Sequence, residues 1–176
     1  MQHFKPLGEI AVAALADAVA RHADGFGDLD FREKAPGSAH PDTATIYLRM
    51  PPILSRWTIF ESLEAVDYPM MQAPEFREAV ASVARLAGGR TARAMIVKLL
   101  PRGRIAPHVD EGGYAAATQR FHLPIATNKL AWLESGGELL HLPAGALWWF
   151  DKHALHHGGN DGTTDRIHLI VDTLPL

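Results

Sequence analysis

The second half of the chain consists of short β-type segments separated by turn residues, and this pattern limits the folds that are possible. From Ala92 onward the segments are ARAMIVKLL, QRFHLPI, LAWL, ELLHL, ALWWF and RIHLIVD, and the dividing turns are PRG, TN, ESGG, PAG and GGNDGTT. Short strands at regular spacing, with glycine and proline between them, predict a barrel or a jelly roll. We therefore expect a mainly β fold for this half.

Two amphipathic helices are predicted before the β-rich half. One covers roughly residues 8–22, where apolar residues recur at helical spacing. The other lies near residues 74–87, because Pro74 favours a first helical turn and a Gly-Gly pair follows as a stop. We expect both helices to be packing elements that buttress the β structure.

A strand, TATIYLRM, is predicted at residues 43–50, and the two prolines that follow it remove backbone donors and end it. No internal repeat, low-complexity segment or linker divides the chain. We therefore expect a single domain over residues 1–176, with residues 1–91 as a helical and strand support region and residues 92–176 as the β core.

Composition excludes several classes of protein. The 176 residues include no cysteine, which removes disulfides, thiolate catalysis and zinc-cysteine sites and favours a reducing, cytoplasmic location. A net charge of -3 argues against a nucleic-acid-binding protein, which normally carries a concentrated basic face. No apolar run is long enough to cross a bilayer, so we expect neither a membrane nor a nucleic acid as a partner.

Candidate metal ligands occur at two places in the β-rich half. In PHVDEGG, His108 and Asp110 are two residues apart, and on an extended backbone such side chains point to the same face. The alternative for this pair is a surface turn in which the aspartate caps backbone donors. A third ligand must decide, and FDKHALHHGGN supplies three candidates, although histidines beside glycines are also common at surfaces: His153, His156 and His157.

Arg166 is the residue that favours a ligand-binding role for the histidine cluster. It lies ten residues after His156 and opens the alternating strand RIHLIVD. An arginine at that position points either to solvent or into the barrel mouth, where burial requires a carboxylate partner. Two imidazoles and one carboxylate with open coordination positions suit non-haem Fe(II), whereas zinc is normally satisfied by four tetrahedral ligands.

The ordered set HxD, RxHxP, FD-x4-H-x3-N and DR resembles the aspartyl/asparaginyl β-hydroxylase family of Fe(II)/2-oxoglutarate-dependent dioxygenases and its proline 3-hydroxylase-like relatives. The similarity covers roughly residues 92–172 and rests on RFHLPIATN, GALWWFDKHALHHGGN and DRIHLIVD. It implies a double-stranded β-helix, a jelly-roll or cupin-like fold, buttressed by the N-terminal helices.

The resemblance also implies roles for individual residues. His108, Asp110 and His156 correspond to the iron ligands, with His157 as the near competitor for the last position. Arg166 corresponds to the partner of the distal carboxylate of 2-oxoglutarate. The RxH positions, which resemble auxiliary contacts to the carboxylate of the co-substrate or substrate, are occupied by Arg120 and His122.

The activity implied by the resemblance is hydroxylation of an unactivated C–H with O2, Fe(II) and 2-oxoglutarate, releasing succinate and CO2. The expected substrate is a small molecule or segment hydroxylated at the β-carbon of an Asp-, Asn- or Pro-like amino acid, which is free, carrier-bound or peptidyl. Two alternatives stay open: a desaturase or lipid acyl hydroxylase of the same superfamily, and a cupin-like metal-binding protein that binds or senses a small molecule without oxygenase activity. The sequence does not indicate an oligomeric state.

Overall fold

The computed structural model describes all 176 residues and consists of two antiparallel sheets packed face to face. The strands are β1 (Phe4–Glu9), β2 (Thr43–Met50), β3 (Val66–Asp67), β4 (Gly89–Leu99), β5 (Arg104–His108), β6 (Gln119–Ala126), β7 (Ala131–Ser135), β8 (Glu138–Leu140), β9 (Ala146–Phe150), β10 (His156–Asn160) and β11 (Arg166–Pro175). The helices are α1 (Ala13–Arg21), α2 (Phe31–Lys34), α3 (Arg56–Phe60), α4 (Pro74–Ala87) and α5 (Gly112–Ala117), with 3-10 turns at Ala23–Gly25 and Pro69–Gln72.

The larger sheet has seven strands in the order β1-β9-β6-β11-β4-β2-β3, and the smaller has four in the order β5-β10-β7-β8. This arrangement confirms the predicted mainly β fold, a double-stranded β-helix with N-terminal helices. Three strands of the larger sheet come from the first 91 residues, so this region extends the sheet as well as supporting it. The assignment of the whole chain to one domain stays a prediction.

The helix expected near residues 74–87 is α4, with Pro74 in its first turn and Gly88 in the left-handed conformation (φ 67°) after its end. The first helix begins later than expected, at Ala13, because residues 4–9 instead pair with β9 as an edge strand. That pairing joins Phe4 to Phe150, and sequence periodicity does not show it. None of the helices has the length and apolarity needed to cross a bilayer.

Alternation along β11 separates a packing face from a polar face. Leu169 and Val171 belong to an 18-residue apolar cluster with residues of α1 and α4, so the helices cover this outer face of the larger sheet. The alternate positions Arg166, His168 and Asp172 are also buried. Because side chains two apart on a strand share a face, these three point between the sheets. These polar side chains of the larger sheet therefore face the smaller sheet.

Candidate active site

Three side chains of the metal-ligand type come together at the paired ends of β5 and β10. The register places His108 opposite His156, and their ring centroids are 4.2 Å apart. Asp110 follows β5, and its Oδ1 lies 3.7 Å from Nε2 of His108 and 3.8 Å from Nε2 of His156. One ligand atom from each residue lies within 4.8 Å of the others, which is a spacing that a single ion can bridge.

Backbone carbonyls orient both imidazoles. Nδ1 of His108 is 2.8 Å from the carbonyl oxygen of Ala106, and Nδ1 of His156 is 3.0 Å from that of Ala154. When Nδ1–H donates to these carbonyls, Nε2 keeps its lone pair for a metal. Burial lowers the pKa of His108 and, helped by the neighbouring His108, lowers the pKa of His156 to about 4. Both rings are therefore neutral at physiological pH, as ligation requires.

The structure places His156, and not His157, beside the other two ligand candidates. His157 points to the opposite face of β10, where its Nε2 lies 3.1 Å from Oε2 of Glu134 and its ring meets Trp132 edge-on. His153 is exposed in the preceding turn. The geometry thus distinguishes two adjacent histidines that the sequence alone leaves open.

A chain of charged side chains holds the carboxylate of Asp110. Nη1 of Arg120 donates to Oδ2 of Asp110 at 2.5 Å, while Nε and Nη2 donate to the two oxygens of Asp172 at 2.8 and 2.9 Å. Burial acts to raise the pKa of both carboxyls, but Arg120 and the other neighbouring groups together outweigh it and lower the pKa of Asp110, and that of Asp172 to about 2. Oδ1 of Asp110 remains on the side of the two imidazoles.

Arg166 is buried without a protein partner. It is 2% exposed, and its Nε and Nη1 have neither a hydrogen-bond acceptor nor a carboxylate within salt-bridge distance. Burial, with the nearby charge of Arg32, lowers the pKa of the Arg166 guanidinium to about 10, so it is still cationic at neutral pH. A buried, unpaired cation is costly, and it indicates a position for an anionic ligand.

Further buried polar atoms of the larger sheet also lack partners. Nδ1 of His122 is 3.2 Å from Nδ1 of His168, and Nε2 of each ring has no partner. The indole nitrogen of Trp148 is also buried without an acceptor. Because one Nδ1 donates and the other accepts, one Nε2 of the pair is left as a donor, which together with Arg166 can serve an anionic oxygen.

The two RxH residues have different surroundings. His122 is buried on the inner face of β6, against His168 and Phe150. Arg120 shares that face but is already bound to Asp110 and Asp172. Its direct contact is therefore with a metal-ligand candidate. A contact of either residue with a co-substrate or substrate carboxylate stays a prediction.

A cavity of about 500 Å³ opens beside the ligand candidates and is bordered by His108, Asp110 and Arg120. Much of its wall comes from residues 31–40, which the sequence did not assign to the site. Within this segment, the ring of His40 stands edge-on to His108 with centroids 4.8 Å apart, and Arg32 lines the cavity. No local motif marks these residues, since only the fold brings them to the metal site.

Comparisons with known proteins give a matching family model and several solved structures of similar fold. A family model described as aspartyl/asparaginyl beta-hydroxylase matches residues 36–175. Among solved structures, the fold is similar to a Pseudomonas putida prolyl-4-hydroxylase (TM-score 0.61, 13% identity, covering 99% of this chain and 94% of that one).

The fold is also similar to a viral collagen prolyl hydroxylase from Paramecium Bursaria Chlorella virus-1, solved as a 2OG complex (TM-score 0.59, 7% identity, covering 99% and 97%). A third similar structure is AviO1 from Streptomyces viridochromogenes Tue57 (TM-score 0.55, 15% identity, covering 98% and 89%). At these identities the structural likeness shows the fold alone.

Proposed function

Because the chain belongs to the aspartyl/asparaginyl β-hydroxylase family of 2-oxoglutarate dioxygenases, we propose that it is an Fe(II)-dependent hydroxylase of an unactivated C–H. The proposed substrate is an amino acid of the Asp, Asn or Pro type, hydroxylated at its β-carbon in free, carrier-bound or peptidyl form. His108, Asp110 and His156 hold the iron in this proposal. Arg166 binds the distal carboxylate of 2-oxoglutarate, with His122 beside it.

One observation carries the proposal: a three-residue ligand group and an unpaired, buried guanidinium occur together between the same two sheets. The ligand group alone is compatible with a cupin-like binding protein. The buried Arg166 is not explained by such a protein, because nothing in the chain neutralises it. A dicarboxylate that reaches the metal at one end and Arg166 at the other satisfies both features.

The side chains of this protein position and protect the reaction. Fe(II), 2-oxoglutarate and O2 when bound supply the oxidative chemistry, which yields succinate, CO2 and the hydroxylated product. Arg120 keeps Asp110 ionised and turned toward the imidazoles, and the backbone carbonyls of Ala106 and Ala154 fix the ring orientations. The buried wall around Arg166 excludes water from the co-substrate.

In this proposal the substrate enters through the large cavity and not past Arg166. The 500 Å³ cavity borders His108 and Asp110 directly, so a C–H group in it lies next to the metal ligands. The residues around Arg166 do not line this cavity, so the proposed positions of co-substrate and substrate are separate. Such an arrangement brings the reacting groups together and lowers the entropic part of the barrier.

The proposal is tested by anaerobic titration of metal-free protein with Fe(II) and then with 2-oxoglutarate, following the weak visible charge-transfer band of the iron chelate. His156→Ala and His157→Ala form a matched pair, since the two residues are adjacent on β10 but face opposite sides. The band is expected in the parent and in His157→Ala and is expected to be lost in His156→Ala. A parent that binds metal but shows no band contradicts the proposed function and favours a cupin-like binding protein.

A further inference from the structure

We propose that Arg32 is the substrate-carboxylate receptor of the cavity, and that the substrate is an amphipathic acid whose apolar body is larger than a single amino-acid side chain. This inference rests on the proposed function and narrows its substrate class. The cavity then has two parts, a cationic position near the metal ligands and an apolar wall that extends away from them.

Arg32 has unused hydrogen-bonding capacity. Its guanidinium carries five N–H donors, and its one side-chain hydrogen bond runs from Nη1 to Oγ1 of Thr43 at 3.1 Å. Glu33 is close enough for its charge to act on Arg32, but no carboxylate lies within 4.0 Å of the guanidinium, and Oε1 of Glu33 accepts from Oγ1 of Thr45 at 2.5 Å. Burial, with the charge of Arg120, lowers the pKa of Arg32 to about 10, so it is cationic at neutral pH. An anion in the cavity would find these donors free.

The other arginines that line the cavity are occupied or exposed. Arg93 donates to the carbonyl oxygens of Thr58, Ile59 and Ser62 and stacks on Tyr114. Arg120 is bound by two carboxylates. Arg56 is exposed at the cavity rim. Arg32 is therefore the half-buried cation of the cavity that has donors to spare.

The position of Arg32 sets the anion close to the reacting centre. Arg32 lines the same cavity as His108 and Asp110, and His40 of the same segment stands edge-on to His108 with ring centroids 4.8 Å apart. The guanidinium therefore shares one cavity with two metal-ligand candidates. A substrate held there by its carboxylate presents the neighbouring carbon atoms to the metal, and this agrees with attack at a β-carbon.

The remainder of the cavity is suited to an apolar body. Its volume of about 500 Å³ falls within the roughly 300–1,000 Å³ typical of sites for drug-sized ligands, and a free aspartate or proline would fill only part of it. Its apolar and aromatic wall includes Phe31, Tyr47, Met50, Ile59, Phe60 and Met95. Burying an apolar chain against this wall supplies affinity that a free amino acid lacks.

Arg32 lies outside the stretch that the family model matches. It is on α2, at Phe31–Lys34, and the match begins at residue 36. The support for its role therefore comes from the cavity and not from the family assignment.

The test uses three probes with matched differences: N-octanoylglycine, its neutral amide N-octanoylglycinamide, and the short N-acetylglycine. Binding is measured by calorimetry on metal-free protein and, anaerobically, on protein with Fe(II) and 2-oxoglutarate, which occupy the metal and Arg166. The variant is Arg32→Gln. Its control is Lys34→Gln, since Lys34 is on the same helix but is exposed and paired with Asp30 outside the cavity.

In the parent, N-octanoylglycine is expected to bind at least about tenfold more tightly than the amide, because charge-assisted hydrogen bonds to Arg32 require the carboxylate. N-acetylglycine is expected to bind at least about tenfold more weakly, since it lacks the apolar chain. Arg32→Gln abolishes the preference for the acid over the amide, and Lys34→Gln retains it.

Three results overturn the inference. The first is an absence of N-octanoylglycine binding, or equal binding of acid and amide in the parent. The second is a preference for N-octanoylglycine over its amide that survives in Arg32→Gln. An Arg32→Gln variant that changes only the concentration of 2-oxoglutarate needed to form the chelate band counts in the same way. The third is equally tight binding of N-acetylglycine. Absence of the chelate band in the parent contradicts the proposed function instead. This outcome is distinguishable from failure of the Arg32 inference, because Arg32-dependent binding of N-octanoylglycine to the metal-free protein then persists.

Discussion

Replacing Arg166 with methionine is expected to stabilise the protein without co-substrate while removing its response to 2-oxoglutarate. The guanidinium is 2% exposed, and burial is the main cause that lowers its pKa from 12.5 to about 10. At about 1.4 kcal/mol per pKa unit, the buried charge costs about 3 kcal/mol of folding free energy. Because the charged form is the disfavoured one, removing it raises the free energy of unfolding at neutral pH.

Methionine keeps much of the length of the side chain, so packing is retained in part. Replacement of buried ionic groups by apolar ones of similar volume is neutral or stabilising by about 1–4 kcal/mol in other proteins. We expect a gain of about 3 kcal/mol at most for Arg166→Met, measured by denaturant unfolding of metal-free protein. Arg90→Met is the control, because Arg90 is exposed on β4 and its loss is expected to change stability by only about 0.5 kcal/mol.

The same unfolding experiment is repeated with metal and 2-oxoglutarate. Ligand that binds only the folded state raises stability by mass action, and the parent and Arg90→Met are expected to show this. Arg166→Met is expected to retain metal binding but to need far more 2-oxoglutarate for the same effect. An Arg166→Met protein that is clearly less stable than the parent without co-substrate, yet equally stabilised by 2-oxoglutarate, would refute the assignment of an unpaired anion-binding cation.

Two further predictions concern charges behind the metal site. Asp172→Asn is expected to destabilise the protein by about 3–5 kcal/mol, because it breaks the buried pair with Arg120. The native carboxyl has a pKa of about 2 against 3.8, so it contributes about 2 kcal/mol that is present above pH 4 and lost as the pH falls toward 2. Equal acid sensitivity of parent and variant in urea unfolding would contradict this. Burial lowers the pKa of Lys152 from 10.5 to about 8, so the unfolded chain holds the proton longer and stability is expected to rise by about 3 kcal/mol between pH 8 and 10.5. Lys152→Met is expected to flatten this rise, and an unchanged rise in the variant would assign it to other groups.

Features set by local sequence could be predicted. The helix at residues 74–87 has a proline at its start and a glycine at its end, and the strand at residues 43–50 is bounded by prolines, so each is determined within a few residues. The alternation along RIHLIVD places Arg166 and His168 on one face in the same way. His108 and Asp110 are likewise close in the sequence, although the strand ends at His108 and Asp110 is held by a backbone hydrogen bond to Lys152.

Features set by contacts between distant segments could not be predicted. His156 and His157 differ by one step along β10, and only the pairing of β10 with β5 decides which of them meets His108. Asp172 lies opposite Arg120 because of the register between β11 and β6. Arg32 reaches the cavity because its short helix lies across it, and no motif in residues 31–34 indicates this.

The two faces of β11 differ in what they contribute, and this difference predicts where substitutions are tolerated. On the outer face, Leu169 and Val171 are fully buried in the apolar cluster with the helices, so truncating them removes packing and lowers stability directly. On the inner face, Nε and Nη1 of Arg166 and Nε2 of His168 are buried without partners, which costs folding free energy. Apolar substitutions of Arg166 and His168 are therefore expected to leave a folded protein that no longer binds its ligands, whereas Asp172 on the same face is needed for its buried pair with Arg120. A chain selected for stability alone would have no reason to keep an unpaired arginine there, and this is why the buried cation indicates a ligand.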